Sequence, residues 1–145
     1  MICVSATMPS TLDSTLGMLV DLDSMEKVTT TNLHTLHPNV KHIFERVHKY
    51  EKSVKVIELL KKDIKRKKAT IIFLNRTIAA NWLYHYLCEN EIKCVRLTSS
   101  MTDEERSHSL EMFQNSKCDI LVSTDLGSRG LDTKRVNLII FKSKS

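Results

Sequence analysis

Only three glycines (Gly17, Gly127 and Gly130) and two prolines (Pro9 and Pro38) punctuate the 145 residues. That scarcity excludes chemistry. None of the glycines stands in a G-x-x-x-x-G-K-[ST] pattern, so no loop of this kind is available to wrap nucleotide phosphates in backbone amides. The four cysteines (Cys3, Cys88, Cys94 and Cys118) contain no C-x-x-C pair. Cys3 and Cys118 sit in apolar runs, so reduced, buried thiols are expected in place of a disulfide framework. His34, His37 and His42 lie close together but lack cysteine or carboxylate ligands at matching spacing, so no metal site is expected. No apolar run approaches the roughly 20 residues of a membrane span. No Arg-rich amphipathic or apolar leader precedes the first strand, so no targeting peptide is visible.

What is present describes an ordinary globular chain. With 41% apolar and 27% charged residues the sequence is not of the disordered type. Its length suits one domain that buries about 68–70% of the unfolded surface. Twenty-two Lys and Arg against seventeen Asp and Glu give a net charge of +5, an excess that favours polyanions without selecting one. Much of that excess lies in Lys61-Lys62-Asp63-Ile64-Lys65-Arg66-Lys67-Lys68. The run closes a predicted helix, where cations complement the helix dipole, and it precedes a strand. It therefore reads as a solvated helix end opposite the strand carboxyl edge, in preference to a nuclear-localisation or RNA-contacting patch.

Taken in order, Ile2-Cys3-Val4 reads as the tail of a strand. Ser10 is placed to cap a helix carrying Leu12, Leu16, Leu19 and Val20 on one face. A single strand and helix followed by a break looks like the remnant of a sheet that is otherwise absent. Residues 27–31 are β-branched and strand-like, and the polar stretch around His37-Pro38 suits a linker. Residues 40–47 read as a strand. Residues 52–66 read as a helix with Val54, Ile57, Leu60 and Ile64 along one stripe.

Strand and helix then alternate: strand 70–74, helix 78–90, strand 93–97, helix 102–114, strand 118–122, strand 136–141. That order predicts an α/β fold with a parallel sheet flanked by helices and right-handed crossovers. Thr102 with Glu105 forms a capping box at the start of the fourth of these elements. Trp82, Leu83, Tyr86 and Leu87 read as a core face before a base-stacking platform.

The densest chemistry follows Cys118-Asp119-Ile120-Leu121-Val122, an apolar run with the β-branched content of a buried strand. The chain passes through Ser123-Thr124-Asp125 into a loop holding two of the three glycines. A strand-to-loop edge is where open parallel sheets bind ligands. Gly130 has no Cβ to keep a nucleic-acid backbone away, the Thr124 hydroxyl can donate to a phosphate, and the Asp132 carboxylate can accept from a ribose hydroxyl pair. The same residues also suit a plain turn with Asp125 paired to Arg129, and the loop taken alone leaves both readings open.

The pattern T-D-x-x-x-R-G-x-D, set after an apolar strand, resembles motif V of the DEAD-box ATP-dependent RNA helicases. Val4-Ser5-Ala6-Thr7-Met8-Pro9 resembles the S-A-T motif that closes the first RecA-like domain of that family, and Ile71-Ile72-Phe73-Leu74-Asn75-Arg76-Thr77 resembles its motif IV. The resemblance covers essentially the whole chain. It implies a RecA-like parallel sheet, incomplete at its C-terminal end. It also implies three segments: residues 1–24 as the last strand and helix of the first RecA-like domain, 25–39 as a linker, and 40–145 as a truncated second domain.

Residue by residue, the resemblance implies RNA-backbone contacts from Thr124 and Gly130 and an ATP-ribose contact from Asp132. The helix beginning near Thr102 resembles motif IVa, usually Q-x-x-R, which makes Arg106 a further RNA contact although Asp103 replaces the Gln. Arg76 and Thr77 are each placed to reach a phosphate. Ser5, Ala6 and Thr7 are expected to couple nucleotide state to RNA handling through the first domain, a partner the chain does not contain. Thr98-Ser99-Ser100 stands where the family commonly has H-G-D, which removes a glycine.

No D-E-A-D and no H-R-x-G-R-x-x-R occurs, so neither the Mg²⁺ ligands nor the arginine finger is present, and an arginine finger contributes on the order of 10³ to 10⁵ in rate. No residue of this chain is expected to be catalytic. ATP and Mg²⁺ belong to a full-length parent, and the chain alone should hydrolyse no ATP. The expected function is that of a fragment of an RNA helicase that clamps and remodels RNA. The alternative is a non-catalytic truncated protein that binds RNA or a partner through this half. The spacing of Asn81-Trp82-Leu83, and of Leu33-His34 before Pro38, is similar to the mitochondrial branch of the family. Nuclear, nucleolar and cytoplasmic locations are the alternatives, and no membrane is expected as a partner.

Overall fold

The structure is a computed structural model that describes residues 39–65, 68–124 and 135–142, with Gly17, Asp21, 24–26, 28 and 29. The chain divides into two units, Met1–Glu45 and Arg46–Ser145. Of the first, the described residues include a short turn in which the Ser24 hydroxyl donates to the Asp21 carbonyl at 2.7 Å.

The second unit alternates helices and strands: α1 (Lys52–Ile64), β1 (Ala69–Leu74), α2 (Thr77–Glu89), β2 (Val95–Leu97), α3 (Asp103–Gln114), β3 (Ile120–Thr124) and β4 (Val136–Lys142). The four strands form one sheet in the order β2-β3-β1-β4, and every pairing is parallel. α2 joins β1 to β2 and α3 joins β2 to β3, the helical crossovers that strand–helix alternation predicts.

Period-two alternation along β1 decides the packing. Ile72 and Leu74 point to one face, where they meet Ile120 and Val122 of β3 and the buried side of α1 and α2 (Val56, Ile57, Leu60, Ala80, Leu83 and Leu87). Ala69 and Ile71 point to the other, with Leu121, Leu97 and Phe113 of α3. The register Ile71↔Leu121 and Ile72↔Val122 keeps the two sets apart. Leu60, Leu83 and Leu87 are fully buried, and each stabilises the fold by about 1.5–3 kcal/mol relative to exposure. At the amino edge Arg135 ties β4 to the rest. Its guanidinium donates to the Phe113 and Cys118 carbonyls, pairs with Asp119, and lies over the Phe113 ring.

Several expectations change. Residues 41–48 carry no strand. Their apolar side chains fall at Val40, Ile43, Phe44 and Val47, which is not a two-residue period, so an extended segment would have no continuous apolar face to bury. Phe44 is 92% exposed. In α1 the buried stripe is Val56, Ile57 and Leu60, while Val54 and Ile64 are exposed. In α2, Ala80, Leu83 and Leu87 set the buried face. Trp82 lies off that face and is 50% exposed, stacked on Tyr86 with ring centroids 5.1 Å apart. Cys88 is exposed, because the last turn of α2 carries it away from the sheet, whereas Cys94 and Cys118 are buried as expected.

Candidate nucleic-acid interface

Three parallel strands end together. Leu74 of β1 sits opposite Thr124 of β3, and Leu97 of β2 sits opposite Ser123. The Ser123 hydroxyl, fully buried, donates to the Leu97 carbonyl at 2.8 Å and so fastens the end of β2 to the end of β3. Sequence reasoning passed over Ser123; its position before Thr124 at a strand end is the signal it offered.

After β1 the chain bends at Asn75 and Arg76 and enters α2. Arg76 is the N-cap residue, extended at φ −137°, and its side chain makes no capping hydrogen bond. The first turn of α2 therefore has no side-chain cap, and the positive end of a 13-residue helix lies at the strand carboxyl edge, an arrangement suited to an anion. Thr77 is the first helical residue. Its Oγ1 lies 3.3 Å from Ser99 Oγ in the turn that follows β2. Next to it, the Thr98 and Ser100 hydroxyls are 3.1 Å apart. The turn that replaced the glycine-containing family pattern is thus lined with hydroxyls. Ser99, which the sequence marked only as part of a stretch lacking the family's glycine, is part of the rim.

Arg106 arrives from α3. That helix starts where Thr102 and Glu105 predicted, with Thr102 Oγ1 accepting from the Glu105 amide at 3.3 Å and the Glu105 carboxylate accepting from the Thr102 amide at 2.9 Å. The fixed start places Arg106, half-buried, so that its Nη1 donates to the Thr98 carbonyl at 3.2 Å. A guanidinium has five donors in a planar fork, and this anchor orients the fork at the rim. Asp103, Glu104 and Glu105 occupy the same first turn, where they complement the helix dipole.

Of the residues expected at the site, the rim carries Arg76, Thr77, Arg106 and Thr124. Thr124 is buried at the end of β3. Gly130, Asp132, Ser5, Ala6 and Thr7 lie outside the described residues. Among the described residues there is no cluster of three side chains suited to a metal ion, and no helix is long and apolar enough to cross a membrane.

Comparison with known proteins gives this rim a context. Residues 48–143 match the helicase conserved C-terminal domain. Proteins named probable ATP-dependent RNA helicase DDX28 from mouse and human are 32% and 30% identical over 145 residues, which is 97% of this chain and 27% of theirs. The pre-mRNA-splicing ATP-dependent RNA helicase PRP28 of Kluyveromyces lactis is 36% identical over 71% of this chain and 19% of its own length. The chain therefore spans about a quarter or less of the curated relatives it matches. Among solved structures, helicase domain 2 of Mss116p, bound to an RNA duplex, superposes with a TM-score of 0.54 at 24% identity, covering 63% of this chain and 39% of that one. Escherichia coli SrmB, bound to the regulator RraA, gives 0.55 at 18% identity, covering 63% of this chain and 69% of that one. At these identities the two structures share the RecA-like fold.

Proposed function

Because the chain belongs to the helicase conserved C-terminal domain family, in its DEAD-box RNA helicase branch, we propose that it is the second RecA-like half of such a helicase and holds RNA by its phosphates along the sheet's carboxyl rim. The observation that carries this reading is the convergence of Thr77, Ser99 and Arg106 on one edge, joined by the Thr77–Ser99 contact and the Arg106–Thr98 bond. The uncapped start of α2, with Arg76 and Thr77, receives one phosphate. Arg106 receives a second. Thr124, with Gly130 beyond it, receives a third. These contacts read charge and spacing, not bases, so the RNA is held without sequence preference.

In the full-length helicase Asp132 contacts the ATP ribose. Ser5, Ala6 and Thr7 end a first domain, near residue 24, and a linker to residue 39 leads into the second. ATP would supply the free energy through its hydrolysis, with Mg²⁺ neutralising phosphate charge, in the full-length helicase. The chain itself carries no phosphate-wrapping loop, so its own part is to bind RNA and leave hydrolysis to the partner half. Similarity that runs over nearly the whole chain supports a parent in the DDX28 branch, for which the sequence resemblance implies a mitochondrial location in preference to a nuclear, nucleolar or cytoplasmic one. The second reading, a protein that binds RNA without a part in hydrolysis, is favoured by the net charge of +5.

Fluorescence anisotropy with single-stranded RNA at increasing salt tests the rim. Three phosphate contacts give a slope of about −2 in log K against log salt, and Arg106→Gln lowers its magnitude by about 0.7. Binding that ignores salt, or a slope unchanged in Arg106→Gln, overturns the assignment. Adding a first RecA-like half separates the two readings. RNA-stimulated ATP turnover on mixing supports the helicase half, and turnover equal to that of the first half alone supports the binding protein.

A further inference from the structure

α2 and β2 run side by side from the rim to the opposite edge of the sheet, and they touch at three levels. At the rim the contact is Thr77 with Ser99. Midway, Arg96 of β2 donates to Asn81 Oδ1 at 3.2 Å and lies over the Tyr84 ring at 5.1 Å. At the far end, Cys88 in the last turn of α2 meets Cys94, just ahead of β2, with the two sulfurs 3.9 Å apart. The two thiols are unequal. Cys88 is exposed and Cys94 is 7% exposed. The Cys94 sulfur also approaches the Tyr84 carbonyl at 3.8 Å, which holds it on the α2 side.

We propose that Cys88 and Cys94 are a redox modification site that closes into an intrachain disulfide when the protein meets a peroxide. The exposed Cys88 sulfur attacks one peroxide oxygen, the O–O bond breaks, and water leaves Cys88 as a sulfenic acid. The Cys94 sulfur then attacks the Cys88 sulfur. The S–S bond forms, the S–O bond breaks, and the Cys94 proton joins the departing oxygen as a second water. Two thiols lose two electrons and the peroxide gains them. Cys94 is buried, which also pushes its thiol up, so the first step falls to the exposed Cys88.

An S–S bond of about 2.05 Å needs the sulfurs to close by roughly 2 Å. The chain between them turns at residues 90 and 91, where Glu91 has φ 59°, and Glu89, Asn90, Glu91 and Lys93 are exposed, so the helix end has room to rotate. The bond fastens α2 to β2 at the edge opposite the RNA rim, and this assignment is independent of the RNA reading.

Oxidising the chain with hydrogen peroxide, blocking the remaining thiols by alkylation, and mapping peptides by mass spectrometry tests it. The expected product is a Cys88–Cys94 cross-linked peptide, lighter by two hydrogens and restored by dithiothreitol, with slower amide exchange at residues 92–97 and a melting temperature raised by several degrees. Cys94→Ser removes the cross-link and leaves Cys88 as sulfenic acid or its further oxidation products. Because the first mapping uses the unaltered protein, poor folding of a variant does not obscure it. Overoxidised Cys88 beside a free Cys94, a bond to Cys118, or a bond only between two chains overturns the proposal.

Discussion

Thr77 Oγ1 and Ser99 Oγ lie 3.3 Å apart, joining the first residue of α2 to the turn that follows β2. The pair is 22 positions apart in sequence and adjacent only because β2 and β1 flank β3 in one parallel sheet. Replacing either member is informative. Ser99→Ala removes the join and leaves the Thr77 hydroxyl to bond elsewhere, at a cost of about 0.5–1.5 kcal/mol. Thr77→Val removes the Thr77 hydroxyl itself. RNA affinity should fall a few-fold in the first and more in the second, in titrations at one fixed salt concentration. Equal affinity in all three proteins contradicts a role for this pair.

The start of α3 controls Arg106. Thr102→Ala deletes the cap that accepts from the Glu105 amide, and such caps contribute about 1 kcal/mol. Urea denaturation should show that loss. Because fraying of the first turn also frees Arg106 from the Thr98 carbonyl, RNA affinity should drop although residue 102 need not touch RNA. A stability loss with unchanged affinity separates the cap from the site.

Thr70 is fully buried in β1, and its hydroxyl has no hydrogen-bond partner among the described residues. Burying an unpaired hydroxyl is costly, so the near-isosteric Thr70→Val should stabilise the protein by about 1 kcal/mol. Chemical denaturation with an unchanged m-value checks it. A destabilised variant points to a partner for that hydroxyl.

Burial, and after it the neighbouring Cys88, push the Cys94 thiol above its ordinary value of 9.0. The folded state keeps this proton at a pH where the unfolded chain has released it. The contribution to stability is therefore complete below pH 9.0 and is lost as the pH climbs past that value. Cys94→Ala should flatten the alkaline decline relative to the unaltered protein, as followed by urea titrations under reducing conditions at pH 7.5 to about 10.5. Parallel declines refute the linkage. Cys118, raised mainly by burial, adds a decline of the same sign in both proteins.

The sequence by itself determined the element order, the parallel α/β architecture and the start of α3, because each of these is local. Short apolar runs name the strands at 70–74 and 118–122, and a Thr and a Glu three residues apart satisfy each other's amides without help from the rest of the chain. It also marked Arg76, Thr77, Arg106 and Thr124 through a family pattern, which is order along the chain and not proximity. Only the tertiary structure decided what faces what. It left Trp82 half-exposed against Tyr86, because Leu83 and Leu87 claim the sheet. It left residues 41–48 without a strand, because their apolar spacing offers no face to bury. It brought Ser99 to Thr77 and Cys94 to Cys88, because a crossover helix returns antiparallel to the strand it serves and meets it at both ends. Those pairings depend on strand order, and strand order is a property of the whole sheet that no short stretch of residues encodes.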